Sequence, residues 1–305
     1  MSWSGGVFFD ISRSRAAMPD ASRTPASNVP DVGDVVVPVA DVLAAQARLR
    51  RYLPPTPMHH AERFGVMLKL ENLQRTGSYK VRGAMNALLV ARERGDHRPT
   101  IAASAGNHAQ GLAWAAYRLG VQAFTVMPHG PPATKNAVVA HWGATVRQHG
   151  DSYDEAFAFA KELAEQNGYR FLSAFDDPDV IAGQGTIAME ILRQLPQLGS
   201  HRLDAVFVAI GGGGLISGVA NYIKAVRPEI KVIGVQMNDS DAMAQSVAHG
   251  ERVTLPDVGL FSDGTAVKLV GEETFRIAQG LVDGFITVDT DAVCAAIKDV
   301  FVDTR

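Results

Sequence analysis

Apolar residues recur along most of the chain with two periods, one typical of α-helices and one typical of short buried β-strands. From about residue 100 to residue 237 the two patterns alternate, so that short apolar runs are followed by amphipathic stretches. Strands that alternate with helices usually pair in parallel and are joined by right-handed crossovers. We therefore predict an α/β fold with two lobes, built from open, mostly parallel sheets covered by helices.

The predicted elements follow one another along the chain with short connections. One helix runs from Lys80 to a stop at Gly95, and the other predicted helices span residues 39–52, 111–119, 134–141, 153–167, 185–195, 215–226, 270–279 and 289–305. The predicted strands span residues 66–70, 101–103, 123–127, 145–147, 170–174, 205–210, 231–237 and 286–288. Residues 176–179 are predicted to form a solvated turn, because three of the four are aspartates.

The length of the chain favours two lobes over one. Single hydrophobic cores stop growing at about 250–300 residues, and this chain has 305. We assign residues 36–100 and 176–305 to a large lobe and residues 101–175 to a small lobe inserted in it. Residues 1–35 are rich in Ser, Pro, Ala, Asp and Arg without apolar periodicity, so we predict a disordered leader outside the fold, with Met18 as an alternative start.

Composition and charge exclude several classes of protein. The formal net charge is −3, with 47% hydrophobic and 20% charged residues, and neither a basic patch for nucleic acid nor an apolar run long enough for a membrane span occurs. Cys294 is the only cysteine, and the histidines lack metal-site spacing, so we predict neither a disulfide framework nor a metal. The absence of a secretory signal pattern predicts a cytoplasmic protein that binds small molecules.

Lys80 is an unusual residue for its place in the pattern. It begins a predicted helix whose apolar stripe includes Val81, and either Thr76 or Ser78 is a candidate cap. A helix N-terminus carries partial positive charge, so both this field and burial would lower the pKa of a lysine there. A neutral amine of this kind can form a Schiff base with an aldehyde. The alternative is a surface lysine that extends from the first turn into water.

Two loops between a strand and a helix are candidate anion sites. Four consecutive glycines, Gly211 to Gly214, follow an apolar strand, and Leu215 begins a helix; backbone N–H groups there can surround a phosphate without obstruction by Cβ atoms. An ordinary turn and a dinucleotide-binding loop are the alternatives, since residues 212–217 nearly fit the pattern G-x-G-x-x-G and Asp239 follows the next strand. The second loop is the run Ser104 to Gly111, SAGNHAQG, whose alternative is a turn that contains an asparagine.

Three motifs occur in a fixed order: SYKVRGA around Lys80, SAGNHAQG from Ser104, and GGGGL from Gly211. Together they resemble the pyridoxal-phosphate enzymes of the tryptophan-synthase-β type, also called fold type II, and most closely the threonine dehydratases. The resemblance extends from about Val39 to the last residue. It implies that Lys80 holds pyridoxal 5′-phosphate covalently and acts as the catalytic base.

The resemblance also implies roles for the loop residues. Asn107 is expected to contact the cofactor ring near its 3′-oxygen, Tyr79 to pack beside the cofactor, and residues 211–215 to bind its phosphate through Gly211, Gly212, Gly213, Gly214 and Leu215. The substrate carboxylate is expected to lie among Ser104, Ala105, Gly106 and His108. The run from Val258 to Lys268 is more similar to threonine dehydratases than to serine racemases.

The implied activity is the deamination of L-threonine, and of L-serine, by β-elimination; threonine yields 2-oxobutanoate, a precursor of isoleucine, and ammonia. A catabolic serine/threonine dehydratase or serine racemase, a cofactor-binding fragment without catalysis, and an NAD-dependent oxidoreductase are the alternatives. By the same resemblance the large lobe is expected to be incomplete at its C-terminus, without the residue that contacts the pyridine nitrogen and without a regulatory domain. The full-length chain is expected to form a homo-oligomer.

Overall fold

The structure is a computed structural model that describes residues 7–10, 37–130, 133–200 and 202–304. Its strands are β1 (Val7–Asp10), β2 (Met58–Ala61), β3 (Val66–Lys69), β4 (Thr100–Ala103), β5 (Ala123–Met127), β6 (Thr145–Gln148), β7 (Arg170–Phe171), β8 (Ala205–Ala209), β9 (Lys231–Met237) and β10 (Gly284–Val288). Its helices are α1 (Val39–Leu49), α2 (Lys80–Glu93), α3 (Asn107–Leu119), α4 (Ala133–His141), α5 (Tyr153–Asn167), α6 (Pro178–Gln194), α7 (Gly214–Val226), α8 (Ala242–His249), α9 (Glu272–Leu281) and α10 (Thr290–Thr304).

The strands form two sheets, which confirms the predicted α/β class. The larger sheet has the order β10-β9-β8-β1-β3-β2, and the smaller sheet has the order β6-β5-β4-β7. Five of the eight strand pairs in the described part of the chain are parallel, including all three in the smaller sheet. The smaller sheet uses only strands between Thr100 and Phe171, whereas the larger one uses strands on both sides of that stretch. The residue bounds of the two lobes remain a prediction.

Strand β1 corrects the prediction that the first 35 residues stay outside the fold. It lies between β3 and β8 and is antiparallel to both, with Val7 opposite Lys69 on one side and Val208 on the other. A strand in this position pairs the backbone N–H and C=O groups that β3 and β8 would otherwise leave exposed at two sheet edges. The apolar run Val7-Phe8-Phe9 was the available signal. The remainder of the predicted leader lies outside the described residues.

Several element boundaries differ from the prediction for local reasons. Helix α6 begins at Pro178, seven residues before the predicted start, because the Asp177 side chain accepts a hydrogen bond from the Val180 N–H and proline is well suited to a first helical turn. Helix α3 begins at Asn107 and not at Gly111. Strand β7 ends at Phe171, so the chain leaves the sheet three residues earlier than predicted. Strand β2 and helix α8 were not predicted.

Two clusters of buried side chains position the loops that carry the motifs. One lies among the larger sheet and α6, α7 and α9, and includes Val208 and Ile216. The other joins α2 and α3 to the smaller sheet and includes Val81 and Leu112. Helix α2 is buried on every side from Val81 to Ala91, so its first residue cannot turn freely toward solvent. No helix in the described ranges is long and apolar enough to cross a membrane.

Candidate active site

Lys80 is the first residue of α2, as predicted, and its partly buried amine is held by the protein backbone. Its Nζ donates a hydrogen bond to the Ala174 carbonyl oxygen at 2.9 Å and lies 5.5 Å from the centre of the Tyr79 ring. Burial lowers the pKa of Lys80 to about 8, because the charged form is poorly solvated there. Neither Thr76 nor Ser78 caps the helix: Tyr79 occupies the capping position without a side-chain bond. The hydroxyls of Thr76 and Ser78 are buried without a partner in the described part of the chain.

The loop after β4 presents backbone groups, while its histidine points elsewhere. Ser104 Oγ accepts a hydrogen bond from the Gly106 N–H at 3.1 Å, and residues 104–107 are partly exposed. His108 is only 3% exposed, and its Nε2 lies 3.3 Å from the Leu172 carbonyl oxygen. Burial, and then the nearby Lys80 charge, lower the pKa of His108 to about 3. The neutral imidazole therefore donates from Nε2 to Leu172, which leaves the backbone N–H of His108 as the group available to a carboxylate.

Gly111 brings this loop close to the lysine. A Cβ atom at Gly111 would lie 3.0 Å from the Val81 nitrogen and 3.1 Å from the Lys80 carbonyl carbon. That spacing is tighter than side chains normally allow, so the glycine permits the first turns of α3 and α2 to pack backbone against backbone. The N-termini of both helices consequently lie side by side.

The glycine loop packs closely against Phe175 and has free backbone N–H donors. A Cβ atom at Gly212 would lie 2.2 Å from Cδ1 of Phe175, and one at Gly214 would lie 2.9 Å from Cα of Phe175. Gly213 has a φ of 97°, which favours glycine. Among the described residues, the N–H groups of positions 212–215 have no protein acceptor. The sequence therefore places four glycines where the fold needs both a missing side chain and an unobstructed N–H group.

One short segment, residues 172–175, connects all three motifs. The carbonyl of Leu172 contacts the His108 ring, and the carbonyl of Ala174 accepts the hydrogen bond from Lys80. The next residue, Phe175, packs against Gly212 and Gly214. Lys80 contacts Ala174 and the glycine loop contacts the next residue, Phe175. The fold thus brings Lys80 and the glycine loop close together, although they are more than 130 positions apart in the chain.

Asp176 was predicted to belong to a solvated turn, and that prediction was wrong. Its carboxylate accepts hydrogen bonds from the backbone N–H groups at the start of α9, those of Glu272 and Glu273 at 3.0 Å and that of Thr274 at 3.3 Å. A carboxylate at this place satisfies donors that the helix cannot pair internally and complements the helix dipole. The two segments are about 96 residues apart, so no local pattern could have indicated the contact.

A buried cluster of charges underlies the lysine segment and was also missed. Arg82, two residues after Lys80, is 1% exposed and donates four hydrogen bonds of 2.6–2.9 Å to the carboxylates of Glu71 and Glu190. Lys69 Nζ donates to Glu190 Oε2 at 2.7 Å. The charged residues in the run ENLQRTGSYKVRG contain no local indication that Glu71 and Arg82 face inward.

The cluster contains two positive and two negative side chains, and the pKa values of Arg82 and Glu190 reflect this pairing. Burial opposes the charge on Arg82, but Glu71 and Glu190 outweigh it and raise the pKa of the guanidinium. Burial also opposes the charge on Glu190, yet Arg82 and Lys69 lower the pKa of its carboxyl. Thr56 Oγ1 donates to Glu71 as well. The cluster ties β3, the turn before Lys80, the start of α2 and helix α6 into one rigid support.

The residues present fit pyridoxal phosphate. An amine with a lowered pKa can hold an aldehyde, and a helix N-terminus with free N–H groups and no Cβ atoms can hold a phosphate monoester. The N-terminus of α3 offers a second anion site of the size of a carboxylate. Within the ranges described, no group of three or more His, Cys, Asp or Glu side chains could hold a metal ion. The contacts of Ser104, Ala105, Gly106, Asn107 and Leu215 with ligands remain predictions.

Comparison with protein families matches residues 49–305 to the family described as "Pyridoxal-phosphate dependent enzyme". The chain is 58% identical over 245 residues to the "L-threonine dehydratase biosynthetic IlvA" of Burkholderia multivorans, covering 79% of this chain and 47% of that protein. It is 45% identical over 256 residues to the protein of the same name from Escherichia coli, covering 82% of this chain and 49% of that one. The chain thus spans about half the length of the curated relatives it matches.

Solved structures give the same answer for the fold. The processed form of threonine deaminase isoform 2 from Solanum lycopersicum matches with a TM-score of 0.80 and 40% identity, over 88% of this chain and 78% of that one. Maize serine racemase matches with a TM-score of 0.80 and 30% identity, over 87% of this chain and 81% of that one.

Proposed function

Because the chain belongs to the family of pyridoxal-phosphate-dependent enzymes, we propose that it is the catalytic part of a threonine dehydratase. Such an enzyme converts L-threonine to 2-oxobutanoate and ammonia; the water lost in the elimination is returned in the hydrolysis that releases ammonia. L-Serine is a second substrate of the same chemistry. The proposal rests on one observation. The Lys80 amine donates a hydrogen bond to the Ala174 carbonyl oxygen, and the next residue, Phe175, packs against the glycine loop.

The proposed roles follow from the chemistry of each group. When bound, pyridoxal phosphate supplies a conjugated system that stabilises negative charge at the α-carbon of an amino acid. Lys80 would hold its aldehyde carbon, and the N–H groups of residues 211–215 would hold its phosphate. The amino group of the substrate would first replace Lys80 at that carbon, and the freed Nζ would then take the proton from the α-carbon. A pKa of about 8 keeps a usable fraction of this amine neutral near neutral pH. Ala174 orients that amine by accepting its hydrogen bond.

The N-terminus of α3 is the proposed site for the substrate carboxylate. Residues 104–107 are accessible, and Ser104 Oγ holds the loop by accepting from Gly106. The backbone N–H groups of Asn107 and His108 begin the helix and favour an anion. The His108 ring is neutral and bonded to Leu172, so it supports the 172–175 segment and takes no proton from the substrate. Tyr79 and Asn107 are proposed to contact the cofactor ring.

The high identity to biosynthetic threonine dehydratases supports threonine as the substrate and isoleucine synthesis as the pathway. A serine racemase or catabolic dehydratase is the second candidate, because maize serine racemase has the same fold similarity at lower identity. A dinucleotide-binding oxidoreductase gives Lys80 no role. The cytoplasmic location and the homo-oligomeric state remain predictions.

The proposal is tested by titrating the purified chain with pyridoxal phosphate and recording the visible absorbance of the bound cofactor. Borohydride should then fix the cofactor to one peptide, which mass spectrometry should assign to Lys80, and threonine should yield 2-oxobutanoate. Lys80→Ala should abolish the covalent attachment, whereas Lys268→Ala, which removes a partly exposed amine bonded to Pro256, should leave it intact. Covalent attachment without keto acid indicates a binding fragment, and NAD binding without attachment contradicts the proposal.

A further inference from the structure

The carbonyl of Gly212 is held from outside the glycine loop by residues at the start of α9. Thr274 Oγ1 donates a hydrogen bond to Gly212 O at 2.6 Å, and the Gly271 N–H contacts the same oxygen at 3.4 Å. Thr274 is fully buried. A Cβ atom on Gly213 would lie 2.7 Å from the Thr274 Cβ atom, so the Thr274 side chain packs directly against the backbone of the loop.

Holding this carbonyl decides which way the next N–H points. In a planar trans peptide the C=O of one residue and the N–H of the next point in opposite directions. Because Gly212 O is directed at Thr274, the Gly213 N–H must point away from α9. Rotation of the peptide plane would replace that donor by an oxygen with a partial negative charge, which would repel a phosphate. Glycine at both positions makes such rotation sterically easy, so an external restraint is needed.

Asp176 places the threonine that provides this restraint. Its carboxylate accepts from three N–H groups of the first turn of α9, including that of Thr274 itself. Ser217 Oγ, on α7, donates to the Thr274 carbonyl oxygen at 3.3 Å. Asp176 also follows directly after Phe175, which packs under Gly212 and Gly214. The threonine is therefore fixed relative to both sides of the glycine loop.

We propose that Thr274 and Asp176 are positioning residues that lock the Gly212–Gly213 peptide with its N–H toward the phosphate of the cofactor. Thr274 acts through the Gly212 carbonyl, and Asp176 acts through the first turn of α9. Neither residue touches the cofactor in this proposal. The inference rests on the proposed function, because it assumes that the anion bound by the glycine loop is the phosphate of pyridoxal phosphate.

The experiment compares pyridoxal phosphate with pyridoxal, which has the same aldehyde but no phosphate. Dissociation constants for both are measured by fluorescence titration of the cofactor-free chain, with inorganic phosphate as a competitor. Thr274→Val keeps the shape of the side chain and removes the hydroxyl. It should weaken the binding of pyridoxal phosphate about tenfold, the effect of one lost hydrogen bond, and leave the binding of pyridoxal unchanged. Inorganic phosphate should compete less well in this variant than in the parent chain.

Two further variants separate positioning from packing. Thr274→Ser retains the hydroxyl and should restore the preference for pyridoxal phosphate over pyridoxal. Thr125→Val is the matched control, because Thr125 is also fully buried but its hydroxyl has no partner in the described residues; its preference should equal that of the parent chain. Asp176→Asn retains one acceptor oxygen, so it should lose less affinity for pyridoxal phosphate than Thr274→Val does and none for pyridoxal. It replaces Thr274→Val in the test if that variant does not fold.

Several results would overturn the inference. An equal loss of affinity for both ligands in Thr274→Val would indicate general damage to the site. No loss of affinity for pyridoxal phosphate, or a loss that Thr274→Ser does not restore, would show that the hydroxyl has no positioning role. In these cases the parent chain still binds pyridoxal phosphate at Lys80, so the proposed function stands. Failure of the parent chain to bind pyridoxal phosphate at all would reject both proposals together.

Discussion

Replacement of Arg82 by Met tests whether the buried charge cluster supports the lysine segment. Met keeps much of the aliphatic volume but removes four hydrogen bonds of 2.6–2.9 Å to the carboxylates of Glu71 and Glu190. The two buried carboxylates would then share only the Lys69 ammonium, which is 2.7 Å from Glu190. Removal of one partner from a buried ion pair typically costs about 3–5 kcal/mol, so we expect a loss of unfolding free energy of about that size.

The assay is urea unfolding followed by circular dichroism, with intrinsic fluorescence as a second probe. The double variant Arg82→Met/Glu71→Gln leaves a balanced pair of Lys69 and Glu190, and should recover about 1–2 kcal/mol relative to the single variant because the excess negative charge is gone. Arg202→Met removes an ion pair whose arginine is 81% exposed and should cost no more than about 1 kcal/mol. A single variant as stable as Arg202→Met, or a double variant less stable than the single one, would refute the reasoning.

Four further predictions concern the site itself. Gly212→Ala should weaken pyridoxal phosphate binding and lower the thermal unfolding midpoint, because the new Cβ atom would lie 2.2 Å from the Phe175 ring. Gly280→Ala is the control, because the space around its Cβ position is open. It should change neither quantity in the same melting and titration series. The rate at which pyridoxal phosphate attaches to Lys80, followed by stopped-flow absorbance, should rise with pH and level off above about pH 8, since burial lowers the pKa of that amine; a midpoint near the ordinary value of 10.5 would show that the amine is fully solvated. The unfolded chain also binds the proton of Lys80 more tightly than the folded chain, so this residue should make stability rise with pH between about 8 and 10.5. The pH profile of kcat/KM between about pH 5 and 7 should be the same for the parent chain and His108→Asn, because the His108 ring is already neutral there with a pKa of about 3; a limb near pH 6.5 that disappears in the variant would contradict this.

The strand and helix pattern of this chain was predictable where apolar residues alternate clearly. Strands β5 and β9 and helix α5 have the predicted bounds, because each has a strong apolar period and a turn or cap at its ends. Strand β2, with the sequence MHHA, and helix α8 have weak periods and short lengths. Strand β1 was missed because the three-residue apolar run Val7-Phe8-Phe9 becomes part of a strand only when sheet edges are available on both sides of it.

The candidate site was predictable in its parts but not in its assembly. The position of Lys80 at a helix N-terminus and the four glycines between a strand and a helix follow from local pattern, because backbone geometry restricts which residues can occupy such places. The side-chain direction of His108 does not, since it depends on the Leu172 carbonyl, 64 residues away. Asp176 was misjudged for the same reason, because its partners on α9 lie in a distant part of the chain.

The sequence by itself determined the order of most elements, the identity of the amine and the two loops able to hold anions, because these depend on neighbours within a few residues. The tertiary structure alone decided that residues 172–175 connect the lysine to the glycine loop, that Arg82 is buried between two carboxylates, and that Thr274 holds the Gly212 carbonyl. Apart from the Arg82–Glu71 pair, these contacts join groups about 60 to more than 100 residues apart. Desolvation and hydrogen-bond direction act only on atoms that the fold has already brought together, so no local pattern contains them.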